Sequence, residues 1–100
     1  MLGVSYKPGV GDIRESPALK ILRLLRERGA DVSYHDPHVP ELSELGLRSE
    51  SLPAAVDNVD LALIVTAHPS VDHRDVAERA QLTLDLRGVT RGLGAAALQL

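Results

Sequence analysis

Short apolar runs of strand length recur along this chain, separated by amphipathic or polar stretches. Met1–Ser5, Leu61–Thr66 and Leu82–Leu86 are runs of this kind, and they predict buried β-strands. Asp31–His35 alternates apolar and polar residues, the pattern of a strand with one buried face. The pattern therefore predicts four strands.

The stretch between the first two predicted strands indicates a helix. Ser16 precedes Pro17, a pairing typical of an N-cap followed by a proline in the first helical turn. The apolar residues that follow recur at helical spacing; they are Ala18, Ile21, Leu22 and Leu25. Because Arg28 and Gly29 are typical of a helix C-terminus, we predict a helix from Pro17 to Arg28.

Weaker helical patterns lie between and after the later strands. Leu52–Val56 and Asp72–Ala80 each place apolar residues on one face, and the first residue of the second stretch is a candidate N-cap. His38–Glu50 is polar and irregular, with one predicted helical turn at Glu41–Leu45. The tail, Gly92–Leu100, is expected to be either a final helix or frayed.

The order of these elements predicts the fold class. Strand, helix and strand joined by short connections form a parallel unit that is almost always right-handed. We predict an α/β fold: a Rossmann-like, doubly wound parallel sheet of about four or five strands in three α/β/α layers. One hundred residues suffice for one core and are too few for two, so residues 1–100 are expected to form one domain.

The composition argues against several classes of function. A net charge of −3 argues against general binding to nucleic acid or anionic lipid. The absence of cysteine excludes a disulfide framework, a thiolate nucleophile and a cysteine-based metal site. No apolar run is long enough to span a bilayer, and a signal-peptide pattern is missing, so we expect a soluble, cytoplasmic domain. Because a strand begins directly after Met1, both a complete protein and a domain cut from a longer chain stay open.

The loop Tyr6–Glu15 carries the clearest candidate chemistry. Lys7, Gly9 and Gly11 follow a predicted strand and precede a helix, which is where α/β proteins bind phosphate groups. However, Arg14 stands where the third glycine of a G-x-G-x-x-G dinucleotide loop belongs, which speaks against an ordinary NAD cradle. The alternative is a surface turn whose basic side chains are merely solvated.

The residues from Gly3 onward, G-V-S-Y-K-P-G-V-G-D-I-R-E-S-P-A-L-K-I-L, resemble the opening of a known domain. It is the C-terminal, UDP-binding domain of the UDP-sugar dehydrogenases, the UDP-glucose/GDP-mannose dehydrogenase family. The family pattern is roughly G-x-[AS]-[FY]-K-x-x-x-x-D-x-R-x-S-[PS], and every fixed position is met. Similar landmarks follow in order at Tyr34–Pro37, Thr66–His68 and Asp85–Gly88.

The resemblance implies roles for individual residues. Tyr6 and Lys7 match an aromatic–lysine pair that contacts the UDP-sugar, and Arg87 matches an arginine that binds the UDP-sugar of a neighbouring subunit. Arg14 matches an arginine that reaches across a cleft toward NAD held mainly by an N-terminal domain. We expect Asp12 to orient Arg14 or Lys7.

The resemblance also implies an activity that this chain cannot perform alone. The family oxidises the primary alcohol of a UDP-sugar to a carboxylate in two NAD-dependent steps, through a catalytic cysteine. This chain has no cysteine, so its partners would be the UDP-sugar and the remaining domains of the same enzyme, with the full-length chains forming a homo-oligomer. The alternative is a stand-alone Rossmann-like nucleotide-binding or oligomerisation module without catalysis.

Several polar residues allow two interpretations of their role. His35 and His38 have a spacing seen in zinc sites, but Pro37 lies between them and we expect no metal. Asp36 is either a ribose-binding acid or a residue of the turn that ends the strand. His68, at the same strand edge as Lys7, is expected to support the site, either by contacting the ligand or by hydrogen bonding to the backbone.

Overall fold

The computed structural model describes residues 1–14, 16–90 and 97–99. Its helices are α1 (Pro17–Glu27), α2 (Ala54–Asp57) and α3 (His73–Arg79), with a 3₁₀ helix at Ser43–Leu45. Its strands are β1 (Glu41–Leu42), β2 (Leu47–Arg48), β3 (Ala62–Ile64), β4 (Thr83–Asp85) and β5 (Ala97–Gln99). None of the described helices is long and apolar enough to cross a membrane.

The described parallel sheet has three strands, in the order β3-β4-β5. In the described part of the chain, the predicted strands Met1–Ser5 and Asp31–His35 are represented only by isolated bridges. Leu2 makes single parallel bridges to His35 and to Ile64, and Tyr34 makes one to Ser49. The prediction of four or five full strands is not confirmed, although the α/β class is.

Gly3 explains why the first predicted strand does not continue. Its φ of 84° lies outside the range of extended backbone, so the alternation of side chains is broken there. Leu2 consequently packs in one hydrophobic cluster, and Val4 packs in another.

The two clusters lie on opposite faces of β3, because neighbouring strand residues point to opposite sides. Leu63 and Val65 pack with Leu22 of α1, whereas Ala62 and Ile64 pack in the cluster that contains residues of α2 and α3. Helices therefore cover both faces of the strand.

Helix α1 confirms the prediction made from its ends. The Ser16 side chain accepts a hydrogen bond from the Ala18 amide, and Pro17 occupies the first turn. The Gly29 amide donates to the carbonyl of Arg26, and Gly29 has a φ of 91°, as expected just after a helix. The Asp72 cap of α3 is confirmed as well, because its carboxylate accepts from the Asp75 amide.

The polar stretch His38–Glu50 is more regular than expected. β1 and β2 form a small antiparallel hairpin around the 3₁₀ helix, and Gly46 has a φ of 67° at its end. The tail was expected to be either a helix or frayed, and both expectations are wrong at Ala97–Gln99, which form β5 beside β4; the other residues of Gly92–Leu100 lie outside the described ones.

Candidate functional site

Asp36 is the centre of a buried polar network at the carboxyl ends of the strand segments. Its Oδ2 accepts from the amides of Val4, at 2.8 Å, and Ser5, at 3.1 Å, and lies 2.9 Å from Nε2 of His68. Its Oδ1 accepts from the His38 amide at 2.8 Å. One side chain therefore joins three segments that are far apart in sequence.

The surroundings of Asp36 keep its carboxylate ionised. The residue is 1% exposed, and burial alone would raise its pKa. The hydrogen bonds from the Val4 amide, His68 and the His38 amide outweigh that effect, so the pKa of Asp36 is lowered. The carboxylate is thus an acceptor that is fully used within the protein.

His68 connects this network to the loop that follows the first segment. The Gly9 amide donates to Nδ1 of His68 at 2.9 Å. Because a backbone amide can only donate, Nδ1 is the unprotonated acceptor and Nε2 carries the proton. That proton points to Asp36, with Oγ of Ser5 3.1 Å from the same nitrogen. Of the two roles expected for His68, the structure thus shows the hydrogen bond to backbone.

The loop itself is closed by backbone contacts. The Tyr6 amide donates to the carbonyl of Asp12 at 2.5 Å, and the Ser5 hydroxyl donates to the carbonyl of Lys7 at 3.1 Å. Gly11 lies so close to the carbonyl of His38 that a Cβ there would be 2.5 Å from its oxygen. The side chains of Tyr6 and Lys7 are left exposed on the outside of this turn.

Arg14 and Asp12 form a bidentate pair at the end of the loop. Arg14 Nε donates to Asp12 Oδ1 at 3.1 Å, and Nη2 donates to Oδ2 at 3.0 Å. The Arg14 side chain is 88% exposed and the Asp12 side chain is 40% exposed. Hydrogen bonds from Arg14 lower the pKa of Asp12 to about 2. The expectation that Asp12 orients Arg14 is consistent with this geometry, and the guanidinium keeps further N–H donors for another acceptor.

Arg87 belongs to a second turn at the carboxyl end of β4. Asp85 Oδ1 accepts from the amides of Arg87, at 2.9 Å, and Gly88, at 2.8 Å, while Oδ2 accepts from the amide and hydroxyl of Thr90. Burial would raise the pKa of Asp85, but these hydrogen bonds lower it. Arg87 Nε donates to the carbonyl of Val65 at 2.6 Å, so this side chain crosses toward the end of β3.

The structure brings together four of the predicted site residues in one loop: Tyr6, Lys7, Asp12 and Arg14. His68 lies beneath this loop, and the described hydrogen bonds of Arg87 go to its own turn and to β3. Sequence reasoning missed how Ser5 and Thr66 support the loop: the Thr66 hydroxyl donates to the Ser5 carbonyl at 2.8 Å. The strand-end position of both hydroxyls was the available signal.

The two histidines considered for zinc do not face a common point. His35 Nδ1 is 2.6 Å from the carbonyl of Glu50, whereas the ring of His38 lies 4.7 Å from that of His68. Within the described residues, no group of three or more His, Cys, Asp or Glu side chains is arranged to hold a metal ion.

Known proteins resemble this chain over most of its length. Residues 1–92 match the UDP-glucose/GDP-mannose dehydrogenase family, UDP binding domain. UDP-glucose 6-dehydrogenase TuaD of Bacillus subtilis (strain 168) is 36% identical over 83 residues, which are 78% of this chain and 18% of TuaD. UDP-glucose 6-dehydrogenase AglM of Haloferax volcanii is 31% identical over 89% of this chain and 22% of AglM.

A solved structure of another protein is similar to almost the whole of this chain. The UDP-N-acetyl-mannosamine dehydrogenase Cap5O from S. aureus superposes with a TM-score of 0.75 at 28% identity, covering 98% of this chain and 24% of that one. The chain thus spans about a quarter or less of the length of these relatives. It belongs to the UDP-glucose/GDP-mannose dehydrogenase family, in which it corresponds to the UDP-binding domain.

Proposed function

We propose that this chain binds the UDP part of a nucleotide sugar within an NAD-dependent UDP-sugar 6-dehydrogenase, which oxidises the sugar C6 alcohol to a carboxylate. The observation that carries the proposal is the loop Tyr6–Arg14, which the buried network ties to the strand ends while its polar side chains stay exposed. The relatives support it, because they are named as dehydrogenases of UDP-glucose and of UDP-N-acetyl-mannosamine.

The finer fold proposal is a Rossmann-like, doubly wound sheet extended to five parallel segments. The bridges place His35 beside Leu2 and Leu2 beside Ile64, all in the parallel sense, and β4 and β5 continue on the other side. In such sheets, ligands bind outside the carboxyl ends of the strands. Asp36, His68 and Asp85 all lie at or beyond those ends, which supports a ligand site at this edge.

Lys7 and Tyr6 are the proposed contacts with the UDP-sugar. Lys7 is exposed on the loop, and an ammonium group suits the negatively charged diphosphate. Tyr6 is 50% exposed beside it, so its ring is available to a ligand. Arg87 is the proposed contact with the UDP-sugar of a neighbouring subunit, which requires a homo-oligomer of the full-length enzyme.

Arg14 is the proposed contact with NAD, and the loop does not form a dinucleotide cradle of its own. The third-glycine position holds Arg14, whose guanidinium projects into solvent and is oriented by Asp12. That arrangement fits contact with a cofactor held mainly by another domain. The chain has no cysteine, so the remaining domains supply the catalytic chemistry, and the whole enzyme is proposed to act in the cytoplasm.

Titration with UDP, followed by NMR, tests this proposal. The chain has two lysines, Lys7 on the loop and Lys20, which is exposed on α1, so Lys20→Ala is a matched control for Lys7→Ala. We expect amide shifts in residues 5–14 and roughly tenfold weaker binding in Lys7→Ala, because a charge-assisted hydrogen bond is lost. Equal loss in both variants, or shifts confined to distant residues, contradicts the proposal and favours a stand-alone module.

A further inference from the structure

We infer that His68 is a positioning residue: it holds the nucleotide-binding loop in its binding conformation through the Gly9 amide. The inference rests on the proposed function of the loop and adds how that loop is kept in place. It follows from the contacts of Gly9, the burial of His68 and the chemistry of the imidazole ring.

A hydrogen bond to His68 holds the middle of the loop. Gly9 is exposed, and nothing lies within 4 Å of the position that a Cβ would occupy there. Its neighbours Pro8 and Val10 are exposed as well. The bond from the Gly9 amide to His68 therefore holds the turn at a point that lies, along the chain, between Lys7 and the Asp12–Arg14 pair.

His68 is suited to act through the loop and not on a ligand. It is 1% exposed, and both of its ring nitrogens have partners inside the protein. Asp36, which receives the Nε2 proton, also accepts from the amides of Val4 and Ser5. The ring therefore fixes the distance between Gly9 and the backbone of Val4 and Ser5, where the loop begins.

The contact depends on the protonation of Nδ1. A proton there would set an N–H group against the Gly9 N–H, and the loop would lose its central tie. The bond from Gly9 therefore requires the form of the ring in which only Nε2 carries a proton, and Asp36 favours that form by accepting from Nε2.

Two substitutions separate the two contacts of His68. In His68→Asn the side-chain oxygen reaches the place of Nδ1 and can accept from Gly9, whereas in His68→Gln the amide reaches the place of Nε2 and can donate to Asp36. We expect His68→Gln to bind about five- to tenfold more weakly and His68→Asn to stay within about twofold of wild type. UDP-glucose is the probe.

Hydrogen exchange gives a readout that a purely structural role would not move. Without ligand, protection of the Gly9 amide, corrected for its intrinsic rate, should be lost in His68→Gln and kept in His68→Asn, because only the Asn side chain can accept from that amide.

The outcomes distinguish this inference from the proposed function. Gly9 protection that is equal in the Asn and Gln variants, or equal losses of affinity in the two, overturns the positioning role. If the wild type fails to bind UDP-glucose while Gly9 protection is lost in His68→Gln and kept in His68→Asn, the proposed function fails and the hydrogen bond between His68 and the loop stands.

Discussion

Gly3 lies directly against the carbonyl of Thr66. A Cβ built on Gly3 would be 2.1 Å from the Thr66 oxygen and 2.6 Å from its Cβ, both far inside normal contact distance. The φ of Gly3 is also positive, at 84°. This close approach brings the first segment against the end of β3, where the Thr66 hydroxyl bonds to the carbonyl of Ser5.

Gly3→Ala is therefore expected to destabilise the fold strongly. Gly29→Ala is the matched control, since Gly29 has a φ of 91° but nothing within 4 Å of its Cβ position. The control should lose about 1–2 kcal/mol from the unfavourable backbone alone. Gly3→Ala should lose about 3 kcal/mol or more, because a clash with backbone is added. Urea unfolding measures both, and equal losses would show that the approach to Thr66 can relax.

Stability should fall as the solution becomes acidic, because of Asp36 and Asp85. The pKa of each is lowered below its ordinary value of 3.8 in the folded protein. The unfolded chain then takes up protons more readily than the folded one, so the stabilisation is present above about pH 4 and is lost as pH falls through the folded pKa.

Asp36→Asn tests the origin of that acid sensitivity. It should lose about 2–3 kcal/mol at neutral pH, since the charged acceptor of the network disappears, and it should change less than wild type between about pH 6 and pH 3. Exposed Asp31→Asn serves as the control. Acid profiles that run parallel in wild type and Asp36→Asn would assign the sensitivity to other carboxylates.

The Asp12–Arg14 pair makes a separate prediction in the titration of one carboxylate. Carbon-detected NMR should give Asp12 a pKa of about 2, and Arg14→Gln should return it toward 3.8, because hydrogen bonds from Arg14 are the largest cause of the shift. Arg23→Gln, on the exposed face of α1, should leave it unchanged. An ordinary value in the wild type would mean that the pair is open in solution.

Local signals were enough to predict part of the fold. Helix α1 was predicted because Ser16, Pro17 and Gly29 each act on the nearest turn of backbone. The length of the first strand was overestimated, because the apolar run Met1–Ser5 gives no sign of the positive φ of Gly3 or of its close approach to Thr66. The hairpin of β1 and β2 was missed because its strands have two residues each, too few to show an alternating pattern.

The candidate site, like the fold, could be predicted from the sequence only in part. The loop and its exposed residues could be placed from sequence because they are consecutive. The role of Asp36 could not, because its partners Val4 and His68 are each 32 residues away along the chain. Two readings of Asp36 were open, and neither included the network of which it is the centre.

The pairing of Arg14 with Asp12 also sets the electrostatic field of the loop. Between Tyr6 and Arg14 the two cations Lys7 and Arg14 are offset by one anion, leaving a single positive charge on a chain of net charge −3. Such a surface offers little long-range attraction to an anion, and salt screens even that beyond about 10 Å. Capture of a diphosphate here would depend on short, directional hydrogen bonds, so its association rate should vary little with ionic strength.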